Sequence, residues 1–232
     1  MPAETSIIIP VRNGATYIAA AIGSALPQLE PDDEIIVIDD GSTDESCAVV
    51  RSIDDPRLRL LAAPQPGGVA AARNVGLAAA TGRFIAFLDC DDEWPPGRHA
   101  AMRAYLLATP DAGGVSGRLK IQVEPGASAN GYDAADGKFA PNGVLGTGLF
   151  RQEAIKTAGG FSEDMLSAED VDFYNRMDEA GVKFHLIDLP ALIYRRHSAN
   201  MTNDREFVRR WFMEMLRRKL ARARAAGYNP PC

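Results

Sequence analysis

One stretch of the chain constrains its fold more than any other, an apolar run at residues 84–88 that ends abruptly in acids. Asp89, Asp91, Asp92 and Glu93 follow it within five positions. The short apolar run predicts a buried strand, and in extended geometry Asp89 and Asp91 project to the same side. Because Mg²⁺ and Mn²⁺ prefer oxygen ligands, the stretch predicts a metal site at a strand end. A solvated acidic turn before a helix is the competing interpretation.

The acidic stretch is the fourth of a series of predicted strands. Earlier buried strands are predicted at residues 6–11, 34–38 and 58–61, with helical patterns between them. This alternation indicates βαβ units and a largely parallel sheet. The second strand also ends in acids, Asp39 and Asp40, so both acidic clusters fall at carboxyl ends of strands, where open α/β sheets bind ligands. The placement favours a metal site over a solvated turn.

The rest of the chain continues the alternation less regularly. Further elements are predicted as a helix at 97–108, a strand at 115–123, a helix from 167 to about 180, strands at 182–187 and 191–195, and a long helix at 203–226. Residues 124–143 are rich in Gly, Ala, Pro and Asn and predict a long loop. Loops of that length in a compact domain are usually functional or disordered.

Charge is distributed unevenly along the chain. The net charge of −6 gives no support to nucleic-acid binding by the body of the protein. Residues 205–224, however, carry eight arginines and lysines against two glutamates, with an apolar stripe that includes Phe207, Trp211 and Leu220. A basic amphipathic helix binds an anionic membrane surface, or it packs on its own domain or on a second subunit. Packing is favoured, because most apolar stripes mark core contacts.

The cysteines and the N-terminus bear on the compartment. Cys47, Cys90 and Cys232 lack the paired spacing of a disulfide framework or a zinc site. The N-terminus lacks a basic region with a long apolar run, and no apolar stretch approaches the ~20 residues of a membrane span. A cytoplasmic location is therefore expected, with peripheral contact at the inner face of the membrane as a further option through the basic helix.

Six short motifs follow one another in a fixed order. They are residues 7–13 (IIIPVRN), 36–44 (IVIDDGSTD), 68–76 (GVAAARNVG), 87–92 (FLDCDD), 159–161 (GGF) and 169–172 (EDVD). In this order they resemble the family 2 glycosyltransferases, and the resemblance covers about residues 5–200. It implies an α/β fold of the GT-A type, a Rossmann-like open mixed, mostly parallel sheet flanked by helices, with a C-terminal amphipathic helix.

The resemblance also implies a division of the chain and a reaction. The transferase domain would span residues 1–204, with a nucleotide-binding half at about 1–110 and an acceptor-side half at about 111–204. Residues 205–232 would form the basic helix and a tail. The implied reaction is an inverting, metal-dependent, non-processive transfer of a sugar from a nucleotide-diphospho-sugar, expected to be UDP-linked, to an acceptor hydroxyl in bacterial glycan or glycolipid synthesis.

Roles for individual residues are carried over from the matching motifs. The implied general base, which takes the proton of the acceptor hydroxyl, is Asp170. The residues implied to bind the nucleotide-sugar are Pro10, Arg12, Asp39, Asp40, Arg73, Asp89 and Asp91. The residues implied to hold the divalent cation, Mn²⁺ or Mg²⁺, are Asp91, Asp92 and His197.

The residue pattern around Asp170 leaves two interpretations. On a helix, Asp170 shares a face with Phe173, Tyr174 and Met177, so the acid occupies a position that would otherwise be apolar and inward. Ser167, three residues earlier, also fits a capping box, in which Asp170 is only a helix-start acid. The six motifs together favour the general base.

The chain departs from the family pattern at two positions. Arg12 stands where many members have tyrosine, and residues 207–211 lack the glutamine of the Gln-x-x-Arg-Trp motif of processive synthases. Transfer of one sugar to each acceptor is therefore expected. The acceptor would be a sugar, a lipid-linked molecule or a protein, and no nucleic-acid partner is expected. The basic helix gives a membrane contact or a homodimer as further expectations. The alternative function is a catalytically silent sugar-nucleotide-binding or scaffold module of the same fold.

Overall fold

The structure, a computed structural model, describes residues 3–127 and 144–227. Within these ranges the strands are β1 (Thr5–Val11), β2 (Glu34–Asp39), β3 (Leu58–Ala62), β4 (Phe84–Phe87), β5 (Gly114–Val123), β6 (Gly148–Arg151) and β7 (Phe184–Arg196). The helices are α1 (Ile18–Ala25), α2 (Ser46–Arg51), α3 (Gly68–Ala79), α4 (Arg98–Ala108), α5 (Gln152–Ala158), α6 (Glu169–Glu179) and α7 (Arg205–Ala225). None of these helices is both long enough and apolar enough to cross a membrane.

The strands form a single mixed sheet in the order β3-β2-β1-β4-β6-β5-β7. The first four strands of this order are parallel, β6 is antiparallel to both its neighbours, and β7 is parallel to β5. The predicted open, mostly parallel sheet is confirmed. Because β1 lies between β2 and β4, the carboxyl ends of these three strands lie side by side.

Helices cover both faces of the parallel half, which explains its continuous apolar sequence. All seven residues of β1 are buried. Ile7 and Ile9 pack toward α1 and α4, whereas Ile8 packs toward α3, α5 and α6. A strand that is buried on both faces does not alternate between apolar and polar residues. In β1, residues 7–11 therefore form one apolar run, and Arg12 and Asn13 follow directly after the strand ends.

Helix α3 approaches the sheet unusually closely. A Cβ atom on Gly76 would lie 2.5 Å from Cγ2 of Ile8, so only glycine allows this packing distance. Arg73 lies one helical turn earlier, on the same side of α3. The close approach therefore brings the Arg73 side chain to the carboxyl ends of β1 and β4.

Two predicted boundaries are corrected. The strands expected at 182–187 and 191–195 form the single strand β7, and Pro190 is accommodated where the register between β5 and β7 shifts next to Arg118. Proline cannot donate to a ladder, and such irregularities are where it is tolerated. The helix predicted from Ser167 begins at Glu169. Most of the predicted loop at 124–143 lies outside the described residues.

Candidate active site

A cavity of about 570 Å³ opens at the sheet edge where β1, β2 and β4 end. The predicted site residues that line it are Pro10, Arg12, Asp40, Arg73, Asp89, Asp91, Asp92 and Asp170. Asp39 and His197 lie outside the lining that the described residues form. The sheet thus brings together residues from both halves of the chain, as expected from strand ends that meet at one edge.

The acids after β2 are occupied by backbone donors. Asp40 is buried, and its two carboxylate oxygens accept hydrogen bonds from the N–H groups of Gly67 and Gly68 at 2.8 and 3.0 Å. Asp39 accepts from the N–H of Ser42 at 3.0 Å, which closes a turn. Asp40 therefore fixes the start of α3 at the cavity wall, in addition to any contact with a ligand.

Arg12 extends beside Asp40 at the mouth of the cavity. Its guanidinium nitrogen Nη1 lies 3.7 Å from Oδ2 of Asp40, and 57% of the side chain is exposed. An arginine in this position offers planar donors to a ligand edge or a phosphate group. Pro10 lines the cavity next to it, at the end of β1.

The acids after β4 have fewer partners. Asp91 accepts from Nε2 of His197 at 3.0 Å, and burial together with the negative charge of Asp89 raises the pKa of Asp91. Burial and the neighbouring acids raise the pKa of Asp92 well above its usual range. A cluster in which buried carboxylates resist ionisation lacks positive charge, and a bound cation would supply it.

His197 supports Asp91 from behind the cavity wall. Its Nδ1 accepts from the N–H of Ala199 at 3.2 Å, which in the neutral ring leaves Nε2 as the donor to Asp91. Tyr17 stacks on the imidazole with ring centroids 4.6 Å apart. Asn200, which belongs to none of the six motifs, donates from Nδ2 to Oδ2 of Asp91 at 3.3 Å.

Arg195 at the end of β7 holds the acidic stretch in place. Its backbone N–H donates to Oδ1 of Asp92 at 2.9 Å, and its Nε donates to the carbonyl of Asp91 at 3.0 Å. Its guanidinium also pairs with Glu93 and, at 3.5 Å, with Glu124. Sequence reasoning missed this residue, because its partners lie about seventy to a hundred positions away.

Arg73 joins the acidic stretch to the start of α6. The buried guanidinium donates from Nη2 to Asp89 at 2.7 Å and from Nη1 to Glu169 at 2.6 Å. Burial opposes the charge of Arg73, but Asp89, Glu169 and Asp170 outweigh it and raise its pKa. A buried arginine that bridges two carboxylates in this way fixes the end of β4 relative to the start of α6.

Asp170, the second residue of α6, lines the same cavity as the acidic stretch. The alternative interpretation, a capping box from Ser167, does not form, because the residue that precedes the helix is Ala168, held at φ 59°, and no side chain of the described residues caps this end. Asp170 accepts only from the N–H of Val171 at 2.8 Å among the bonds within the described residues. The predicted inward face is confirmed by Phe173 and Met177, which are buried.

The environment of Asp170 favours its protonated form. Burial and the negative charge of Glu169 raise its pKa above the usual range, and Arg73 opposes the rise. A carboxylate with a raised pKa is a stronger base when ionised, and perturbed acids in clefts are characteristic of functional sites.

The carboxylates that line the cavity can be compared with the ligands that a divalent cation prefers. Within residues 3–127 and 144–227, no three or more His, Cys, Asp or Glu side chains are grouped closely enough to hold a metal by themselves. Mg²⁺, however, is usually bound by one or two carboxylates with phosphate oxygens and water. Asp91 and Asp89 line the cavity and fit that pattern. His197 orients Asp91 through the hydrogen bond from its Nε2.

An open α/β sheet with a cavity at its carboxyl edge defines the class of ligand-binding doubly wound proteins. Within this class the chain belongs to glycosyl transferase family 2, whose family model matches residues 6–165. The resemblance predicted from the six motifs is confirmed.

Curated relatives cover different lengths of the chain. The chondroitin synthase of Pasteurella multocida is 28% identical over 97% of this chain and 24% of its own length. A UDP-Glc:α-D-GlcNAc-diphosphoundecaprenol β-1,3-glucosyltransferase of Escherichia coli is 45% identical over 38% of this chain and 35% of its own length. The chain therefore spans between about a quarter and a third of these relatives.

Solved structures share the architecture. The structure of S. aureus TarS residues 1–349 in complex with UDP-GlcNAc superposes with a TM-score of 0.70 at 20% identity, covering 87% of this chain and 61% of that one. At this identity the similarity establishes the fold, which is that of the GT-A transferases.

Proposed function

We propose that the chain is an inverting, metal-dependent, non-processive glycosyltransferase that moves a sugar from a UDP-sugar to an acceptor hydroxyl. One observation carries the proposal. Asp89, Asp91 and Asp170 line a single cavity, and Arg73 links the end of β4 to the start of α6 through Asp89 and Glu169. A donor site and a general base must open into one space, and the shared cavity supplies that arrangement.

The nucleotide would lie along the parallel half of the sheet, at about residues 1–110. Pro10 and Arg12 line the wall nearest the ends of β1 and β2, and Asp40 presents its carboxylate between Arg12 and α3. The first turn of α3 follows Gly67 and Gly68, and a helix start favours negative charge from a diphosphate. The UDP complex of TarS and the UDP-Glc specificity in the name of the E. coli relative support the choice of uridine.

Asp170 would act as the general base. The ionised carboxylate takes the proton from the acceptor hydroxyl while that oxygen forms a bond to the anomeric carbon. The bond between this carbon and the diphosphate oxygen breaks in the same displacement, and the electron pair leaves with the nucleoside diphosphate. One displacement inverts the anomeric configuration, and a single base is sufficient for it.

A divalent cation would be held by Asp91, with Asp89 beside it facing the cavity. Asp92 and His197 are the further ligands that the motifs imply, and His197 in this structure uses its Nε2 to hold Asp91. The cation, when bound, would supply Lewis-acid neutralisation of the departing diphosphate. The residues of the chain prepare this position without it, because His197 and Asn200 orient Asp91, and Arg195 fixes the backbone of the acidic stretch.

The acceptor would approach from the side of residues 111–204. The names of the relatives include a chondroitin synthase and a transferase to a diphosphoundecaprenol-linked sugar, which supports a role in bacterial polysaccharide or glycolipid synthesis. A sugar, lipid-linked or protein acceptor fits the open cavity equally well on chemical grounds. A cytoplasmic location is part of the same proposal, since nucleotide-sugars are the donors.

The test is release of nucleoside diphosphate from a panel of UDP-, GDP- and TDP-sugars, with and without Mn²⁺. Release from UDP-sugars that Asp170→Asn abolishes is the expected result, and NMR of a transferred sugar reports the anomeric configuration. Binding of UDP without any release from any sugar donor, even with simple glycosides as acceptors, would overturn the enzyme in favour of a silent binding module.

A further inference from the structure

Helix α7 turns its ion pairs inward. Arg218 donates to Asp164 at 2.7 Å, and Arg222 donates to Asp172 at 2.9 Å, which joins α7 to the rest of the domain. Met215 is the one residue of α7 that is fully buried. A surface helix usually buries its apolar face and exposes its charges, and α7 does so around Met215, with Trp211 half-buried.

The opposite side of α7 carries large apolar side chains and cations. Arg209, Met213, Leu220 and Arg224 are spaced by four, seven and four residues, so they share one helical face. Met213 and Leu220 are 50% and 47% exposed, and Phe212 at the edge of this face is 44% exposed. These five residues are called the α7 outer face. Within the described residues, no ion pair involves either of its arginines.

We propose that the α7 outer face binds the surface of a bilayer that carries anionic headgroups. Apolar side chains set between arginines match the boundary between headgroups and acyl chains, where Phe212, Met213 and Leu220 would be buried and the arginines would remain at the level of the headgroups. Charge complementarity identifies the occupant. The face carries two arginines against the single carboxylate of Glu206, the described residues form no ion pair with these arginines, and the protein as a whole is acidic.

A second copy of the chain fits the same face poorly. Two α7 helices packed antiparallel on this face would set Arg209 of one copy near Arg224 of the other. Like charges that face each other across an interface are destabilising. The sequence favoured packing of the amphipathic stripe. In the structure Met215 is buried and Phe207 and Trp211 are half-buried, and only the far end of the stripe, at Leu220, reaches the outer face.

The N-terminal end of α7 adjoins the candidate active site. Phe207, in the first turn of α7, and Met201 just before the helix both line the cavity, and Met201 is 52% exposed. A bilayer bound along α7 would lie near the cavity mouth and bring a lipid-linked acceptor within reach. Only this consequence rests on the proposed function, since membrane binding by α7 requires neither donor nor catalysis.

The test is flotation of the full chain with vesicles of phosphatidylcholine alone or mixed in equal parts with phosphatidylglycerol. The variants are Arg209→Glu with Arg224→Glu, and Met213→Ser with Leu220→Ser. The control, Arg51→Glu with Lys120→Glu, makes the same charge change at exposed positions outside α7. Binding only to the mixed vesicles is expected, roughly ten-fold or more weaker for both α7 variants and unchanged for the control.

Three outcomes overturn the proposal. Equal flotation with both kinds of vesicle removes the role of charge, and an equal loss in the control shows that net charge rather than α7 is responsible. Absence of binding by the wild-type chain at low salt overturns it directly. A dimer in light scattering that Met213→Ser with Leu220→Ser converts to a monomer would assign the face to a second copy. Circular dichroism and UDP binding verify that each variant is folded.

Discussion

The two acidic clusters look alike in the sequence and behave differently in the structure. Both follow apolar parallel strands and both reach the same sheet edge. Asp40 gives its two oxygens to the N–H groups of Gly67 and Gly68, and these donors satisfy its charge. Asp92, by contrast, is buried beside the half-buried Asp91. Burial raises the pKa of both carboxyl groups, and the charge of Asp89 adds to the rise in each case.

Asp40 thus has a structural role at the start of α3, whereas Asp91 and Asp92 would be stabilised by a bound cation. A carboxylate bonded by backbone amides contributes stability without any ligand. A carboxylate cluster without enough positive charge costs stability until a cation binds. Patterns of sequence letters cannot distinguish the two, but the kind of donor does. Backbone N–H groups bond both oxygens of Asp40, whereas the side chains of His197 and Asn200 approach a single oxygen of Asp91.

The largest expected effect concerns two acids of α6, Asp170, which is proposed to react, and Asp172, which is paired with arginines. Asp170→Asn should lower sugar transfer by roughly 10³-fold, because a general base typically contributes 10²–10⁴, and should leave the free energy of unfolding nearly unchanged. Asp172 is buried between Arg176 and Arg222. Asp172→Asn should lose about 3 kcal/mol of stability, because a buried pair is broken, and the folded fraction should retain activity.

Transfer rates and urea denaturation of the two variants provide the check. Loss of activity in a fully folded Asp172→Asn variant, or unfolding of the Asp170→Asn variant, would contradict the catalytic role of Asp170 and the structural role of Asp172.

The same substitution in the two clusters should change stability in different directions. Asp40→Asn removes the charge that two backbone donors share, and we expect a loss of about 2 kcal/mol. Asp91→Asn relieves repulsion by Asp89, so the metal-free variant should unfold within about 0.5 kcal/mol of wild type or be more stable. Chemical denaturation in EDTA measures both. Equal losses for both variants would remove the distinction between the clusters.

The smallest expected effect concerns the pH dependence. Asp170 acts as a base only when ionised, so the transfer rate should rise with pH through its raised pKa. Burial is the first cause of that rise and the charge of Glu169 is the second. Glu169→Gln removes the second cause, so the midpoint of the pH–rate profile should move to lower pH. An unchanged or higher midpoint would show that Glu169 does not act on Asp170 electrostatically.

The sequence predicted the sheet and both acidic clusters, because apolar runs and the acids that end them are local features. It could not predict the partners of these acids. Asp40 meets Gly67 across 27 positions and Asp91 meets His197 across 106, and only the strand order brings them together. The sequence could not by itself exclude a capping box at Ser167 for a related reason. Arg73 holds Glu169 from another element, and α6 begins at that residue.

The most direct test of the account is calorimetric titration of UDP into the wild-type chain, Asp91→Asn and Asp40→Asn, each with Mn²⁺ and with EDTA. The account predicts that Mn²⁺ strengthens UDP binding to wild type and to folded Asp40→Asn, and that Asp91→Asn loses this strengthening. UDP binding that is equally tight with EDTA, or strengthening by Mn²⁺ that survives in Asp91→Asn, would contradict a cation site at the acidic end of β4.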